Sequence, residues 1–291
     1  MHKRVFYTPL DFILISLLLA AAGYVFYRIA FHLDYSWNWH VIPQYLFRYD
    51  VERGRWVSNY LIDGLVTTIR LSLWAGILAL VLGFFFAVMR LSSSLFLRLF
   101  ARCYIELMRN LPPVVIIFLF YFFLADQFLP LLHLEQVVSR LPPPLQRIEE
   151  FLFGDPAILS PFVSAMITLA AFESAYVAEI FRAGIESVEN HQREAAYALG
   201  LKNHQTMRHI ILPQALIRVL PPLSGQLISL IKDSAIVSVI SIQELTYQGT
   251  QLMASTYMTI EVWTTIALLY LLLTFPCSVM VSYLESRFAR S

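Results

Sequence analysis

Charge is what this chain has least of. Asp, Glu, Lys and Arg make up 14% of its 291 residues, where a soluble domain carries about 25%. Hydrophobic residues make up 58% and the mean hydropathy is +0.64. Water cannot solvate such a surface, so lipid is its natural solvent, and disorder is excluded with it. The net charge is +1, which leaves no strong basic field for nucleic acid. Cysteine is nearly absent. Cys103 and Cys277 both fall in or beside apolar segments, so no disulfide framework is expected and no redox compartment is implied. The seven histidines show neither metal spacing nor an H-E-x-x-H motif, and none lies in the middle of an apolar segment. No metal site and no membrane-embedded hydrolase is expected. A G-x-x-x-x-G-K-S/T loop is also missing, which excludes ATP hydrolysis by this chain through that route.

What is there is a series of apolar stretches. A membrane helix needs about 20 such residues, and six segments qualify: Leu10–Ile29, Leu61–Met89, Tyr104–Ala125, Pro161–Phe181, Pro213–Ile242 and Val262–Leu284. The first follows the basic start Met1-His2-Lys3-Arg4. A signal peptide is the rival reading. The long apolar stretch and its bulky exit, Tyr24-Val25-Phe26-Tyr27-Arg28, favour an uncleaved span. With the N-terminus inside, the cytoplasmic segments hold Lys3, Arg4, Arg90, Arg98, Arg102, Arg182, Arg193, Lys202, Arg208, Arg287 and Arg290. The outer loops hold Arg48, Arg53, Arg55, Arg140 and Arg147. Lys and Arg stay in the cytoplasm, so both termini are expected inside. The outer loop Phe31–Asn59 is rich in Trp and Tyr, which favour the headgroup level. The outer loop Asp126–Ser160 carries the amphipathic stretch Leu145–Phe153 and reads as surface helix, either a lid or a plain connector.

On the second segment Ala75, Ala79, Gly83 and Ala87 recur every fourth residue, a small-residue face that lets a neighbour approach closely. The phenylalanine runs Phe84–Phe86 and Phe118–Phe123 face lipid or fill the bundle. Arg109-Asn110-Leu111-Pro112-Pro113 and Arg218-Val219-Leu220-Pro221-Pro222 are alike. Proline frees an upstream carbonyl, so each site is either a simple kink or a broken segment beside a transport pathway.

The most informative stretch follows the fourth segment. Glu189–Leu199 is a strong helix former, Gly200 can end it in the left-handed conformation, and a second short helix is expected over Asn203–Ile211. The result is a compact knob presenting Ala and Leu beside Arg193, Lys202 and Arg208, suited to a groove on another protein. Glu194-Ala195-Ala196, three residues, Gly200, nine residues, Ile210, one residue and Leu212-Pro213 resemble the EAA loop of ABC importer permeases. The flanks 175–185, 213–223 and 228–235, with Asp63–Thr68 and Glu106–Pro112, are similar to permeases of the polar amino-acid uptake family, the histidine, glutamine and glutamate type. The resemblance runs from about Asp63 to the C-terminus. Asn110-Leu111-Pro112 departs from the family's frequent Gly-Thr-Pro, the first span is an addition, and the 126–160 loop is longer than usual.

The resemblance implies an all-α integral membrane protein of about six transmembrane helices. Residues 1–60 form an N-terminal helix and periplasmic loop, and residues 61–291 a type I ABC importer-like core of five helices, with a coupling loop at about 187–213. It further implies a transport subunit of an ATP-driven, binding-protein-dependent amino-acid importer in the bacterial inner membrane, and not an enzyme. Glu194, Ala195, Ala196, Gly200, Leu201, Lys202, Arg193 and Arg208 would meet a cytoplasmic ABC ATPase, which binds ATP and Mg while this chain holds no cofactor. A periplasmic amino-acid-binding protein and a second permease, self or sister, complete the set. A stand-alone secondary carrier or channel is the alternative.

Ionisable residues at membrane depth are costly and functional by default. A zwitterionic amino acid needs an anion for its ammonium and a cation for its carboxylate. Glu173 and Asp233 supply the first, Arg109 or Lys232 the second, with Tyr176 on the face of Glu173. Mutual ion pairing that locks the bundle is the other reading. Glu179 and Arg182 read as a structural pair or gate contact near the cytoplasmic end.

Overall fold

A computed structural model describes residues 9–32, 35–52, 54–123 and 127–288. Met1–Arg4, Arg53 and Arg290 of the orientation reading lie outside them, as do Ala125 and Asp126, the bounds expected for the third span and the loop after it. The chain forms two compact units, residues 1–39 and 40–291. In the first, α1 (Pro9–His32) is apolar on all sides and its apolar stretch is Pro9–Tyr24. Tyr35, Trp37 and Trp39 follow it as an aromatic cluster, Tyr35 edge to face with Trp37 at 5.1 Å and Trp37 stacked on Trp39 at 6.2 Å.

The second unit begins with α2 (Ile42–Leu46) and a hairpin of β1 (Phe47–Asp50) and β2 (Arg55–Ser58), paired antiparallel with Phe47 opposite Ser58. Both lie in what the sequence presents as an aromatic loop. The hairpin turns through Gly54 at φ +59°, and the Tyr49 and Trp56 rings meet across it edge to face at 5.7 Å. The long helix α3 (Tyr60–Arg90) follows. Asp63 sits in its first turn and Arg90 in its last, both matched to the helix dipole. Next come α4 (Leu95–Asn110), α5 (Pro113–Phe123), the short α6 (Leu129–Leu132) and α7 (Leu134–Ser139), and α8 (Pro143–Phe153). The second long helix is α9 (Leu159–Glu186). Then follow α10 (Asn190–Ala198), α11 (Asn203–Thr206), α12 (Leu212–Asp233), α13 (Leu245–Thr256) and α14 (Thr259–Phe288).

Four runs are long and apolar enough to cross a membrane: Tyr60–Arg90, Pro156–Glu186, Asn203–Ile240 and Thr259–Tyr283. The third expected span, Tyr104–Ala125, is corrected. Tyr104–Asn110 belongs to α4, and α4 turns by 116° into α5. The residue before a proline is driven to extended backbone, and Leu111 adopts φ −88°, ψ 147°. The other proline pair behaves differently, since Pro221 and Pro222 lie inside an uninterrupted α12. The second knob helix is also corrected: α11, one π turn at Met207–Ile211 and α12 form a single run. The stretch between the apolar segments Pro213–Ile242 and Val262–Leu284 contains α13.

The core is the seam between α3 and α9. Ala75, Ala79 and Ala87 are all buried, and a Cβ on Gly83 would stand 2.5 Å from Val177 Cγ1 and 3.0 Å from the Ser174 carbonyl. The four-residue stripe is therefore the contact face, and the backbones approach as closely as small residues permit. Ala165, Leu169, Ala170 and Phe162 fill the seam toward one end, and Phe172, Ala175 and Ala178 with Ile105 and Met108 of α4 toward the other. Of the phenylalanines, Phe84 and Phe85 are exposed while Phe86 stacks on Tyr104 at 3.9 Å. α8 straps the α3 face, since Trp74 Nε1 donates to the Leu152 carbonyl at 3.0 Å and stacks on Phe153.

Gly83→Ala tests the seam. Overpacking costs about 1–3 kcal/mol, so the melting temperature should fall by several degrees. Gly225→Ala, where a Cβ meets nothing within 4 Å, should be neutral or stabilising.

Candidate functional site

The knob is built by local rules. Glu189 precedes α10, and the helix ends in a Schellman motif: Leu201 N–H donates to Ala196 O at 3.1 Å and Gly200 N–H to Tyr197 O at 2.9 Å. Gly200 carries the required left-handed backbone at φ +79°. Gln205 Oε1 accepts from Lys202 N–H at 2.9 Å and starts α11. The base is anchored by a buried cluster of Ile185, Val188, Ile211 and Ala215, and Arg218 of α12 donates to the carbonyl and, at 3.2 Å, the hydroxyl of Ser187. Glu194, Ala195, Gly200, Lys202 and Arg208 are exposed, Leu199 is 82% exposed, and Leu201 is half-buried. Ala196 is buried. Arg193 turns inward, with Nη2 at 3.5 Å from the Ile185 carbonyl, so it is not on the open face.

A polar cluster lies at depth between α9 and α12. Glu173 is 1% exposed, and its Oε2 accepts from Gln226 Nε2 at 2.7 Å. Its Oε1 is buried with no N–H donor among the described residues, and the Asp233 carboxyl lies beside Glu173. Asp233 interacts electrostatically with Glu173 and with Lys232, but the Lys232 side chain itself is exposed. Tyr176 interacts with Glu173 and Asp233 and is capped from the other side by the Arg109 guanidinium, 5.6 Å from its ring centroid. Tyr176 thus stands between a pair of carboxyl groups and a cationic region. The structure groups Glu173, Tyr176, Asp233 and Arg109, and leaves Lys232 at the margin. Arg109 closes α4 rather than opening a span.

Glu179 is the hub of the cationic region. It pairs with Arg90 of α3, with Arg182 Nε at 2.7 Å, and with Arg109 at 3.9 Å. Arg182 also pairs with Glu186. A cleft of about 630 Å³ opens beside it, walled by Arg109, Glu179, Arg182, Gly184, Arg218 and Pro222. Three guanidiniums against one carboxylate give this wall a surplus that can hold an anion.

Two functional-looking side chains escape a reading limited to charged residues in apolar runs. Gln226 is a neutral amide inside α12, detectable only as a polar break in an apolar helix. Glu244 falls between apparent spans, yet it is fully buried. It accepts from Tyr247 N–H at 2.7 Å, Tyr270 Oη at 2.9 Å and Thr68 Oγ1 at 3.4 Å, tying α13 to α3 and α14.

Glu179→Gln removes the anion that three arginines share. The expected cost is roughly 2 kcal/mol, between the exposed and buried limits for an ion pair. Thermal unfolding in lipid nanodiscs reads it. Glu186→Gln, at a half-exposed partner, should cost under about 1 kcal/mol.

Comparison with known proteins places these features in a family. Residues 79–290 match the family described as binding-protein-dependent transport system inner membrane component. A probable glutamine ABC transporter permease protein of Bacillus subtilis (strain 168) is 36% identical over 229 residues, 79% of this chain and 93% of that one. A glutamate/aspartate import permease protein of Escherichia coli (strain K12) is 31% identical over 245 residues, 83% of this chain and 90% of that one. The crystal structure of an amino acid ABC transporter with histidines superposes with a TM-score of 0.66 at 31% identity, covering 87% of this chain and 100% of that one. An inward-facing methionine ABC transporter shares the fold, with a TM-score of 0.53 at 16% identity over 77% of this chain and 96% of that one. A polytopic all-α chain with this knob, this seam and these relatives belongs to the family of binding-protein-dependent transport system inner membrane components.

Proposed function

We propose that this chain is the membrane subunit of an ATP-driven importer of polar amino acids, working with three kinds of partner. The observation that carries the reading is the exposed knob, with its Glu194-Ala195-Ala196 helix ended by left-handed Gly200, on a chain of this family. A cytoplasmic ATPase seats on Glu194, Ala195, Leu199, Lys202 and Arg208. That subunit binds ATP and Mg, and its closure moves the knob. Because α11, the π turn and α12 are one run, a push on the knob travels along α12 to Gln226 and Asp233. This chain supplies the pathway, and a periplasmic binding protein delivers the substrate at the opposite end. A second permease, identical or a sister, faces it. The knob end, with both termini, lies in the cytoplasm, where the arginine surplus of Arg90, Arg98, Arg102 and Arg182 belongs.

Within the pathway the amino acid's ammonium is held by Glu173, whose Oε1 has no N–H donor among the described residues, with Asp233 beside it. The α-carboxylate turns toward Arg109, with Tyr176 between the two charges and Lys232 as the nearest reserve of positive charge on α12. Glutamine or glutamate is the substrate type favoured by the names of the relatives.

Two measurements test this. In proteoliposomes containing the partner ATPase and binding protein, Gly200→Val should lower substrate-stimulated ATP hydrolysis at least tenfold, since a β-branched residue is strained at φ +79°. Unchanged stimulation, or uptake by this chain alone driven by an ion gradient, would overturn coupling through the knob. In the same system Glu173→Gln should weaken apparent substrate affinity about tenfold or more, with Arg109→Gln similar and Lys232→Met smaller. Unaltered affinity in Glu173→Gln and Arg109→Gln would refute the site.

A further inference from the structure

α4 carries Arg98, Arg102, Glu106 and Arg109 within 16 residues and is not apolar enough to cross a membrane by itself. It is amphipathic, and it turns by 116° from α5, the apolar helix that follows. Ala101, Ile105 and Met108 of its apolar side pack into the core, but the rest is bare: Phe96 is 74% exposed, and Leu95, Leu99 and Phe100 are more than half exposed. Phe96 and Phe100 stack along that side at 6.3 Å. A helix of this kind lies in the plane of the membrane interface with its apolar face in the acyl boundary. Arg98 and Arg102, one turn apart, share its other face.

Those two arginines are part of a pocket. A cavity of about 250 Å³ is walled by Arg90, Arg98, Leu99, Arg102, Arg182 and Glu186, at the end of α3 and α9 that carries the knob. Arg90 and Arg182 are committed to Glu179, and Arg182 also to Glu186. Arg98 and Arg102 make no ion pair and no side-chain hydrogen bond among the described residues. The wall therefore holds two unspent guanidiniums, whose planar donors match phosphate oxygens bidentately. Leu99 joins the pocket to the exposed apolar side of the same helix.

We propose that this pocket binds the headgroup phosphate of an anionic phospholipid of the cytoplasmic leaflet, with the acyl chains lying along Leu99 and Phe100. A soluble phosphate would use the arginines and gain nothing from the apolar edge. A zwitterionic lipid would bring a cation into a wall that already has a positive surplus. The bound lipid fixes the elbow between α3 and α5, one side chain away from the Glu179 hub. The assignment to the cytoplasmic leaflet rests on the orientation given under the proposed function.

The test uses the purified full chain in detergent, titrated with phosphatidylglycerol and followed by native mass spectrometry. A basic residue near an anionic surface is worth about fivefold in binding, so Arg98→Gln with Arg102→Gln should weaken phosphatidylglycerol binding roughly 30-fold. Arg98→Lys with Arg102→Lys keeps the charge without the fork and should fall between. Arg140→Gln with Arg147→Gln, an exposed pair elsewhere with the same change in net charge, should leave binding unchanged. Phosphatidylcholine and soluble glycerol phosphate should not saturate the site. Equal weakening by the control pair, undiminished binding in the glutamine pair, or saturable binding of phosphatidylcholine or glycerol phosphate would overturn the proposal. None of these readouts involves ATP or an amino acid, so a failed transport assay leaves this result standing, and the reverse holds.

Discussion

The close approach of α3 to α9 is the constraint on which the rest of the core depends. A stripe with no side chain larger than methyl, broken at Gly83 to less than that, lets two long helices meet backbone to backbone. In lipid there is little hydrophobic drive to press helices together, so such packing is what holds them. That contact places Arg90, at the end of α3, against Glu179 of α9. It also fixes α9 so that Glu173 and Tyr176 face α12 rather than lipid. Were the helices farther apart, the Glu179 cluster would lose one of its three arginines.

The scarce charges are concentrated where this packing puts them. Glu173 and Asp233 make one carboxyl pole, and Arg90, Arg109 and Arg182 make a cationic one around Glu179. Tyr176 sits at the junction. A zwitterion meets both kinds of group along one path, and a motion of α12 carries Asp233 of the first pole while leaving the second on α3, α4 and α9. The continuity of the knob with α12 gives that motion a handle outside the membrane.

Much of this was legible in the residues because it is local. The left-handed Gly200, the helix before it and the small-residue stripe each depend on a few neighbouring positions, and each is found as the spacing requires. What was not legible depends on distant parts of the chain. Pro112-Pro113 and Pro221-Pro222 carry the same local signal, yet Leu111 goes extended and ends α4 while α12 runs straight through. No single stretch of sequence contains that difference, because the surrounding bundle decides which backbone the proline pair adopts. Glu244 falls between two apolar segments, in a stretch that is only mildly apolar. Its burial comes from Thr68 and Tyr270, far away in the chain. Lys232 reads as buried from its place in an apolar run, and helix rotation puts it outside.

The central claim is that the knob, and no other surface, receives the ATPase. It is tested most directly by proximity. A single cysteine replaces Leu199 at the knob tip, in a chain with Cys103 and Cys277 changed to serine, and is crosslinked within the assembled transporter. The account predicts a crosslink to the ATPase subunit whose yield changes with ATP. A crosslink from a cysteine at Trp56 on the hairpin, with none from the knob, would contradict it.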